Sequence, residues 1–232
     1  MNLKKAVSFP VFDYIAQAAK FLELETYVIG GYVRDFLLER DKPKDIDVVA
    51  VGSGIDLANK VAELLPYNPK VQIFKTYGTA MLKFKDLEIE FVGARKESYQ
   101  EDSRNPSTSK GTIQDDQLRR DFTINAMAFS LNNSNYGDLV DPFGGVEALA
   151  NKTIKTPLNP DITYSDDPLR MMRAIRFATQ LNFKIEEESL NAIAKNKDRL
   201  AIISGERIVD ELNKILETPK QKSLNLSSIL PN

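Results

Sequence analysis

The feature that most constrains the fold is a short apolar run, Tyr27-Val28-Ile29, which Gly30-Gly31 ends abruptly. Helical spacing of apolar residues precedes this run from Phe12 to Glu25 and resumes from Tyr32 to Arg40. A second apolar run extends from Ile46 to Val51. Short buried strands that are separated by helices predict a mixed α/β fold for this part of the chain.

Two further strands and a long polar segment come next. Thr79 to Phe84 and Leu87 to Val92 predict a hairpin, and Glu88 and Glu90 share one face of its second strand. The segment from Arg95 to Gln117 is too long and hydrophilic for an ordinary connection. We therefore expect disorder, or ordering that depends on a ligand, in this segment.

The last part of the sequence predicts a helical domain. A helix is expected from Phe122 to Leu131, and no convincing strand follows Pro168. We therefore expect the chain to change from an α/β domain, residues 1–155, to a helical domain, residues 156–232.

Composition excludes several kinds of chemistry. The 232 residues include no cysteine and no histidine, so thiolate or histidine metal sites and histidine-based catalytic triads are excluded. Catalysis must rest on other side chains or on a hard metal held by oxygen ligands. We expect no membrane span, because no stretch approaches about 18 apolar residues, and a cytoplasmic location, because cysteine is absent.

Asp45 and Asp47 predict a metal site. Residues two apart on a strand point to the same side, so both carboxylates can hold one Mg²⁺, and a solvated turn is the alternative. Gly30 and Gly31, between a strand and a helix, let the backbone approach a phosphate, although a simple tight turn would use them too. Arg34, one turn into that helix, can contact a phosphate or pair with a carboxylate.

A third carboxylate is useful in two-metal phosphoryl transfer, because it helps to hold the second ion and to orient the attacking hydroxyl. Glu90 is the candidate, since it lies mid-strand on the polar face of the predicted hairpin. Glu88 lies on the same face and is its rival. An exposed strand glutamate with no catalytic role is the alternative for either residue.

Two arginine-rich segments complete the candidate site. Arg119 and Arg120 can hold phosphates, while Asp121 and Asn125, four residues apart, can contact ribose hydroxyls. A solvated helix face is the simpler interpretation.

In the second segment Asp167 either caps a helix that opens with Pro168 or pairs with Arg170 to bond the edge of a base. Arg173 and Arg176 continue the row, either as RNA-phosphate contacts or as surface ion pairs.

These motifs resemble those of the class II tRNA nucleotidyltransferase and bacterial poly(A) polymerase family, in the order of that family and over residues 28 to 216. The matching segments are Gly30-Gly31-Tyr32-Val33-Arg34-Asp35 with Asp45-Ile46-Asp47, Arg119 to Asn125, Asp141 to Gly145, Asp167-Pro168-Leu169-Arg170, and Gly205-Glu206-Arg207-Ile208. The resemblance implies a nucleotidyltransferase head with a mixed sheet, followed by an all-helical neck.

The resemblance also implies roles for the motif residues. Asp45 and Asp47 bind Mg²⁺, with two ions expected, and protein side chains replace a nucleic-acid template. The implied contacts are Arg119 and Arg120 with the triphosphate, Asp121 and Asn125 with the ribose, and Asp167 and Arg170 with the incoming base. The family often has Glu-Asp before the selecting arginine, whereas this chain has Asp166-Asp167, and Asp166 reaches less far.

The resemblance favours CCA addition from CTP and ATP to the 3′ end of tRNA. The segment Arg95 to Gln117 matches the family's flexible loop, and the basic Arg-Arg-Phe signature of poly(A) polymerases is absent around residues 71–78. Poly(A) addition, a nucleotide-sugar glycosyltransferase and an inactive RNA- or nucleotide-binding fragment are the alternatives. Family members continue past the neck into domains that grip tRNA, so we expect this chain, which ends at Asn232, to be a truncated portion.

Overall fold

The structure is a computed structural model that describes residues 2–40, 45–100 and 103–218. Its α-helices are α1 (Pro10–Phe21), α2 (Gly31–Leu37), α3 (Gly54–Leu64), α4 (Ile113–Leu118), α5 (Gly145–Ala150), α6 (Pro160–Asp166), α7 (Leu169–Leu181), α8 (Glu187–Asn196) and α9 (Gly205–Leu216). Its strands are β1 (Thr26–Ile29), β2 (Asp45–Ala50), β3 (Gln72–Phe74), β4 (Thr79–Phe84), β5 (Leu87–Gly93), β6 (Arg95–Gln100), β7 (Ser103–Lys110), β8 (Ala128–Ser130), β9 (Leu139–Val140), β10 (Thr153–Ile154) and β11 (Lys184–Ile185). Short 3-10 helices lie at Lys4–Val7, Thr123–Asn125 and Lys197–Ile202.

The chain divides into two units. The first contains residues 1–98 and 107–149, and the second contains residues 99–106 and 150–232. The domain change predicted near residue 155 stays a prediction. In the part of the chain that the structure describes, no helix has the length and apolar content that crossing a membrane requires.

Seven strands of the first unit form one sheet, in the spatial order β3-β4-β5-β2-β1-β8-β9. β2 and β5 are parallel, and the other neighbouring strands pair antiparallel. The predicted mixed α/β sheet and the predicted hairpin of β4 and β5 are therefore confirmed. The parallel register sets Asp45 opposite Glu88 and Asp47 opposite Glu90.

The two faces of β2 carry different side chains, because successive residues of a strand point to opposite sides. Ile46 and Val48 share one face and are fully buried, and α3 packs against β2, β4 and β5. Val49 lies on the other face, in an apolar cluster with buried residues of β1 and β8. Asp45 and Asp47 share the face of Val49, so the two carboxylates lie beside a packed apolar cluster.

The helix predicted from Phe122 to Leu131 is wrong. A 3-10 helix at Thr123–Asn125 leads into β8, which pairs with β1 along Tyr27, Val28 and Ile29. Residues 121–130 are all buried, so their apolar side chains carry no periodicity that separates helix from strand. The edge of the neighbouring β1 offers a ladder of backbone hydrogen bonds, and this tertiary contact decides in favour of the strand.

Of the two outcomes expected between Arg95 and Gln117, disorder is wrong for the described residues, and ordering that depends on a ligand stays a prediction. β6 and β7 form a two-stranded sheet, and α4 follows it. Thr112 and Asp115 form a capping box at the start of α4, which satisfies the first amides of that helix. Pairing of the two strands satisfies backbone groups without needing an apolar face, and a polar sequence therefore folds here.

From residue 150 to residue 218, the second unit is helical except for one short parallel pair, β10 with β11. α6 packs against α8, and α7 packs against α9. Among the described residues after Pro168, the expectation of no strand is therefore wrong only for Lys184–Ile185, whose two residues are too few for a sequence pattern to reveal. The helical character predicted for this part of the chain is confirmed.

Candidate active site

Four acidic side chains share one face of β2 and β5 in the first unit. Asp45 and Glu88 form one register pair, and Asp47 and Glu90 form the next. Strands in a sheet lie about 4.8 Å apart, so each pair places two carboxylates near one another. The predicted proximity of Asp45, Asp47 and a glutamate of the hairpin is therefore present in the fold.

The two glutamates differ in their partners. Lys83 Nζ lies 2.6 Å from Glu88 Oε1, across the antiparallel pair of β4 and β5. Glu90 instead lies opposite Asp47, and a hydrogen bond from Thr79 lowers the pKa of Glu90 against the larger, opposite effect of burial. A lysine thus pairs with Glu88, whereas Glu90 lies beside Asp47, and this difference favours Glu90 as the third carboxylate.

Crowding of negative charge changes the acidity of this cluster. Desolvation by the surrounding protein raises the pKa of Asp47, and the charge of Asp45 raises it further, while the guanidinium of Arg120 opposes both. Desolvation, followed by the charge of Asp47, raises the pKa of Glu90. A bound cation would relieve this repulsion, because an opposite charge favours the ionised form of a carboxyl group.

The donor set suits Mg²⁺ through two carboxylates. Among the described residues, no group of three or more acidic, histidine or cysteine side chains is arranged to hold a metal ion. Asp45 and Asp47, which share one face of β2, are the two carboxylates that would hold the ion. Mg²⁺ commonly binds one or two carboxylates and completes its shell with water and substrate phosphates, so the residues present fit the ion.

Gly30 brings the acidic strand and the arginine pair together. Its φ is +82°, and a Cβ built at this position would lie 3.0 Å from Arg120 Nη1 and 3.4 Å from Asp47 Oδ2. A side chain here would displace one of these two groups. Gly31 is less constrained, since a Cβ there would lie 3.7 Å from Arg34 Nη2, an ordinary contact. Phosphate binding at these two glycines stays a prediction.

A buried acid that the sequence interpretation missed holds both predicted arginines. Arg119 donates to Asp116 Oδ1 from Nε at 2.9 Å and from Nη2 at 2.5 Å, and also to Glu97 Oε1 at 3.1 Å. Arg120 donates to Asp116 Oδ2 at 3.3 Å. Asp116 is fully buried in α4. Its spacing of three and four residues from the arginines was the signal in the sequence, because such residues are neighbours on a helix.

Asp121 and Asn125 form a second network with Arg34. Arg34 Nη1 donates to Asn125 Oδ1 at 2.7 Å, and Asn125 Nδ2 donates to Asp121 Oδ1 at 3.1 Å. Arg34 also pairs with Asp35 through two hydrogen bonds of 2.9 Å. Pairing with a carboxylate, one of the two roles considered for Arg34, is therefore observed. Ribose contacts of Asp121 and Asn125 stay a prediction.

The predicted base-reading residues lie in the second unit, at the start of α7. Asp167 Oδ1 accepts from the amide of Leu169 at 3.2 Å, so this carboxylate helps to begin the helix. The Arg170 amide donates to the Asp167 carbonyl at 3.0 Å. Arg173 lies over the ring of Phe177, with 5.4 Å between the guanidinium carbon and the ring centroid.

Arg176 has a structural partner. Its Nε lies 2.6 Å from Glu211 Oε2 of α9, and Glu211 is almost fully buried. Of the two alternatives considered for Arg176, the ion pair is the one observed, but it is buried rather than on the surface. Base reading by Asp167 and Arg170, and RNA contact by Arg173, stay predictions.

Family models match both parts of the chain. Residues 26–155, more than half of the 232, match the poly A polymerase head domain. Residues 182–224 match the probable RNA and SrmB-binding site of polymerase A.

Relatives of this chain include enzymes that extend tRNA. It is 42% identical to the CCA-adding enzyme of Geobacillus sp. (strain WCH70), over 84% of this chain and 46% of the relative. It is 40% identical to the A-adding tRNA nucleotidyltransferase of Aquifex aeolicus (strain VF5), over 82% of this chain and 23% of the relative. The chain thus spans less than half the length of either relative.

Solved structures share the fold. The apo form II of a CCA-adding enzyme superposes with a TM-score of 0.82 at 34% identity, covering 94% of this chain and 53% of the other. A CCA-adding enzyme in complex with ATP gives 0.81 at 33% identity, covering 95% and 52%. With the motifs in order along the matched head domain, the chain belongs to the family of poly(A) polymerases and tRNA nucleotidyltransferases.

Proposed function

We propose that this chain carries the catalytic part of an enzyme that adds CMP and AMP, from CTP and ATP, to the 3′ end of tRNA without a template. One observation carries the proposal: Asp47 lies opposite Glu90 in the sheet, while Gly30 leaves room for Arg120 against the same aspartate. Paired carboxylates beside a fixed guanidinium suit a metal-bound triphosphate. The names of the CCA-adding and A-adding relatives support tRNA as the acceptor.

The reaction is a substitution at phosphorus. The 3′ oxygen of the RNA attacks the α-phosphorus, the bond to the α–β bridging oxygen breaks, and pyrophosphate leaves while the hydroxyl proton passes to solvent. Mg²⁺ bound by Asp45 and Asp47 would supply charge neutralisation and a more acidic hydroxyl. We assign Glu90 to orienting that hydroxyl, and Arg119 and Arg120 to the phosphates.

The remaining predicted residues would select and position the nucleotide. Asp121 and Asn125 would hold the ribose, and their mutual hydrogen bond fixes both side chains before substrate arrives. Asp167 and Arg170 would bond the edge of the base, with Arg173 on the RNA. Reducing cytoplasm suits a chain without cysteine, and we place the reaction there.

Addition of A alone is the second candidate, because an A-adding relative is 40% identical over 82% of this chain. To distinguish CCA addition from addition of A alone, an experiment needs both nucleotides and two tRNA acceptors. The test offers labelled CTP and ATP, separately and together, to tRNA lacking its CCA end and to tRNA ending in CC.

Each outcome identifies one function. Addition of C, C and A in sequence supports the main proposal. Extension of only the CC-ended tRNA by one A supports A addition, and long tails from ATP alone identify a poly(A) polymerase. Nucleotide binding without any incorporation identifies a binding fragment and contradicts the proposal.

A further inference from the structure

A cavity of about 420 Å³ in the first unit adjoins the acidic cluster. Six of the residues that line it are Phe74, Tyr77, Met81, Glu90, Arg95 and Arg119. One wall is thus aromatic and apolar, while the other carries a carboxylate and two guanidinium groups. This combination suits a nucleotide, which has a flat apolar base attached to a charged backbone.

The aromatic wall comes from the connection between β3 and β4. The Tyr77 amide donates to the Phe74 carbonyl at 3.0 Å, and this turn brings both residues to the cavity. The side chains are unusually open for aromatic residues, since Phe74 is 43% exposed and Tyr77 is 72% exposed. Two large aromatic residues exposed together beside a candidate active site indicate a surface that is covered when a ligand binds.

Glu90 joins the cavity to the catalytic centre. It lines the cavity from β5 and lies opposite Asp47 of β2. A nucleotide whose base occupies the cavity would therefore have its ribose at the carboxylates. This is the position that a reacting 3′ hydroxyl must take.

The order of strands separates this cavity from the predicted ribose site. β2, with its two aspartates, lies between β5 on one side and β1 on the other. In the network of Arg34, Asn125 and Asp121, Arg34 belongs to α2, which packs against β1, and Asn125 belongs to the 3-10 helix that leads into β8. The cavity is instead lined mainly from β3, β4 and β5.

Arg120, beside Gly30 and Asp47, would hold the triphosphate on the β1 side. Arg119, which lines the cavity, would lie between the two substrates. The aromatic end of the cavity is then left for the other substrate.

We propose that Phe74 and Tyr77 form a stacking site for the 3′-terminal base of the acceptor RNA. This inference rests on the proposed function, which requires an acceptor whose terminal base changes after each addition. Stacking on an aromatic ring tolerates any base, because every base has a flat π face, whereas hydrogen bonding would select one. Loss of one stacking ring weakens binding of single-stranded nucleic acid by roughly 5- to 100-fold.

The test uses a short single-stranded RNA whose 3′-terminal nucleotide carries 2-aminopurine, a fluorescent base that stacking quenches. The full chain is titrated against this RNA, against the same RNA with an internal 2-aminopurine, and against 2-aminopurine riboside triphosphate. The variants are Phe74→Ala, Tyr77→Ala and Tyr77→Phe. The control is Phe21→Ala on α1, because Phe21 is 70% exposed and does not line the cavity.

We expect quenching of the terminal probe, with affinity lowered roughly 5- to 100-fold by Phe74→Ala and by Tyr77→Ala. Tyr77→Phe and Phe21→Ala should leave it unchanged. Absence of quenching by the wild type overturns the inference, and so does quenching by both alanine variants with the affinity of the wild type. The inference is also overturned if the alanine variants lose quenching of the triphosphate probe but not of the RNA probes, since the cavity would then hold the incoming base.

Binding of the probe needs no turnover, so the two proposals fail separately. Quenching without nucleotide incorporation leaves the stacking site standing and contradicts the proposed function. Incorporation with no effect of either alanine variant on acceptor KM or on quenching contradicts only the stacking site. Thermal unfolding of each variant confirms that the exposed substitutions leave the fold intact.

Discussion

Each of the two units contains a buried acidic side chain that binds arginine, but the two ion pairs have different surroundings. In the first unit, buried Asp116 holds Arg119 and Arg120, and Arg120 lies against Gly30 and beside Asp47. In the second unit, buried Glu211 holds Arg176. The first acid places guanidinium groups beside other carboxylates, whereas the second joins α7 to α9.

The comparison teaches that a buried ion pair does not by itself mark a functional site. Both arginine groups look alike in sequence, as closely spaced cations within a helix or at its end. What distinguishes Arg120 is its surroundings, because its charge lowers the pKa of Asp47 against the effect of desolvation. Arg176 lies over the ring of Phe177, at 4.3 Å from the ring centroid, and contributes to packing.

The largest expected effect is at Asp47. Asp47→Asn keeps the size of the side chain but removes a charge that would hold the metal, so incorporation should fall at least about 100- to 1,000-fold. Stability should not fall, because desolvation already disfavours the ionised form. Initial rates of labelled AMP or CMP incorporation, together with thermal unfolding, check this.

Asp86→Asn, in the exposed turn between β4 and β5, is the matched control and should keep full activity. Normal incorporation by Asp47→Asn would contradict the metal assignment.

Gly30→Ala should have the next largest effect. The added Cβ would lie 3.0 Å from Arg120 Nη1, and φ of +82° is unfavourable for alanine. We expect loss of about 1–3 kcal/mol of stability, and about 10- to 100-fold lower kcat because Arg120 is displaced. Denaturant unfolding and steady-state kinetics measure the two effects.

Gly205→Ala provides the control, since a Cβ there meets nothing within 4 Å. A Gly30→Ala variant with unchanged kcat would mean that the position of Arg120 does not matter.

Arg170→Ala should change selection more than rate. If Arg170 bonds the base edge, its loss should reduce the preference between CTP and ATP by roughly tenfold, because a paired hydrogen-bond contact gives about 1–3 kcal/mol of discrimination. The ratio of kcat/KM for the two nucleotides measures this. Arg199→Ala, an arginine of the same unit outside α7, serves as the comparison. An unchanged ratio in Arg170→Ala would refute the reading role.

Glu88→Gln should have the smallest effect. Glu88 pairs with exposed Lys83 at the surface, so its neutralisation should change incorporation by less than about twofold. Glu90→Gln changes the glutamate opposite Asp47 and should lower incorporation much more. Equal losses in the two variants would remove the distinction between the two glutamates.

Local patterns predicted the parts of the fold that depend on neighbouring residues. The strands β1, β2, β4 and β5 follow from apolar runs and alternation, and the shared face of Asp45 and Asp47 follows from the period of a strand. β8 could not be predicted in this way, because burial of residues 121–130 removes the periodicity. Its strand conformation depends on the edge of β1.

The candidate site, like the fold, was predictable from the sequence only where neighbouring residues carry the signal. The sequence indicated Asp45, Asp47 and the arginine pair, but the choice between Glu90 and Glu88 depends on their neighbours in the folded sheet, which are Asp47 for Glu90 and Lys83 for Glu88. Phe74 and Tyr77 carried no motif, and only the fold brings them to the cavity beside Glu90. Asp116 lies three and four residues before the two arginines, so predicting a helix for that segment would have identified Asp116 as their partner.

The most direct test of the central claim measures kcat and unfolding free energy for Asp116→Asn and Glu211→Gln side by side. Each change breaks a buried ion pair, so each should cost about 3 kcal/mol of stability. We predict at least about tenfold lower kcat for Asp116→Asn, because the two arginines that we assign to the phosphates lose their anchor. For Glu211→Gln we predict an unchanged kcat at temperatures where both variants are folded. Equal kcat values in the two variants would contradict the account.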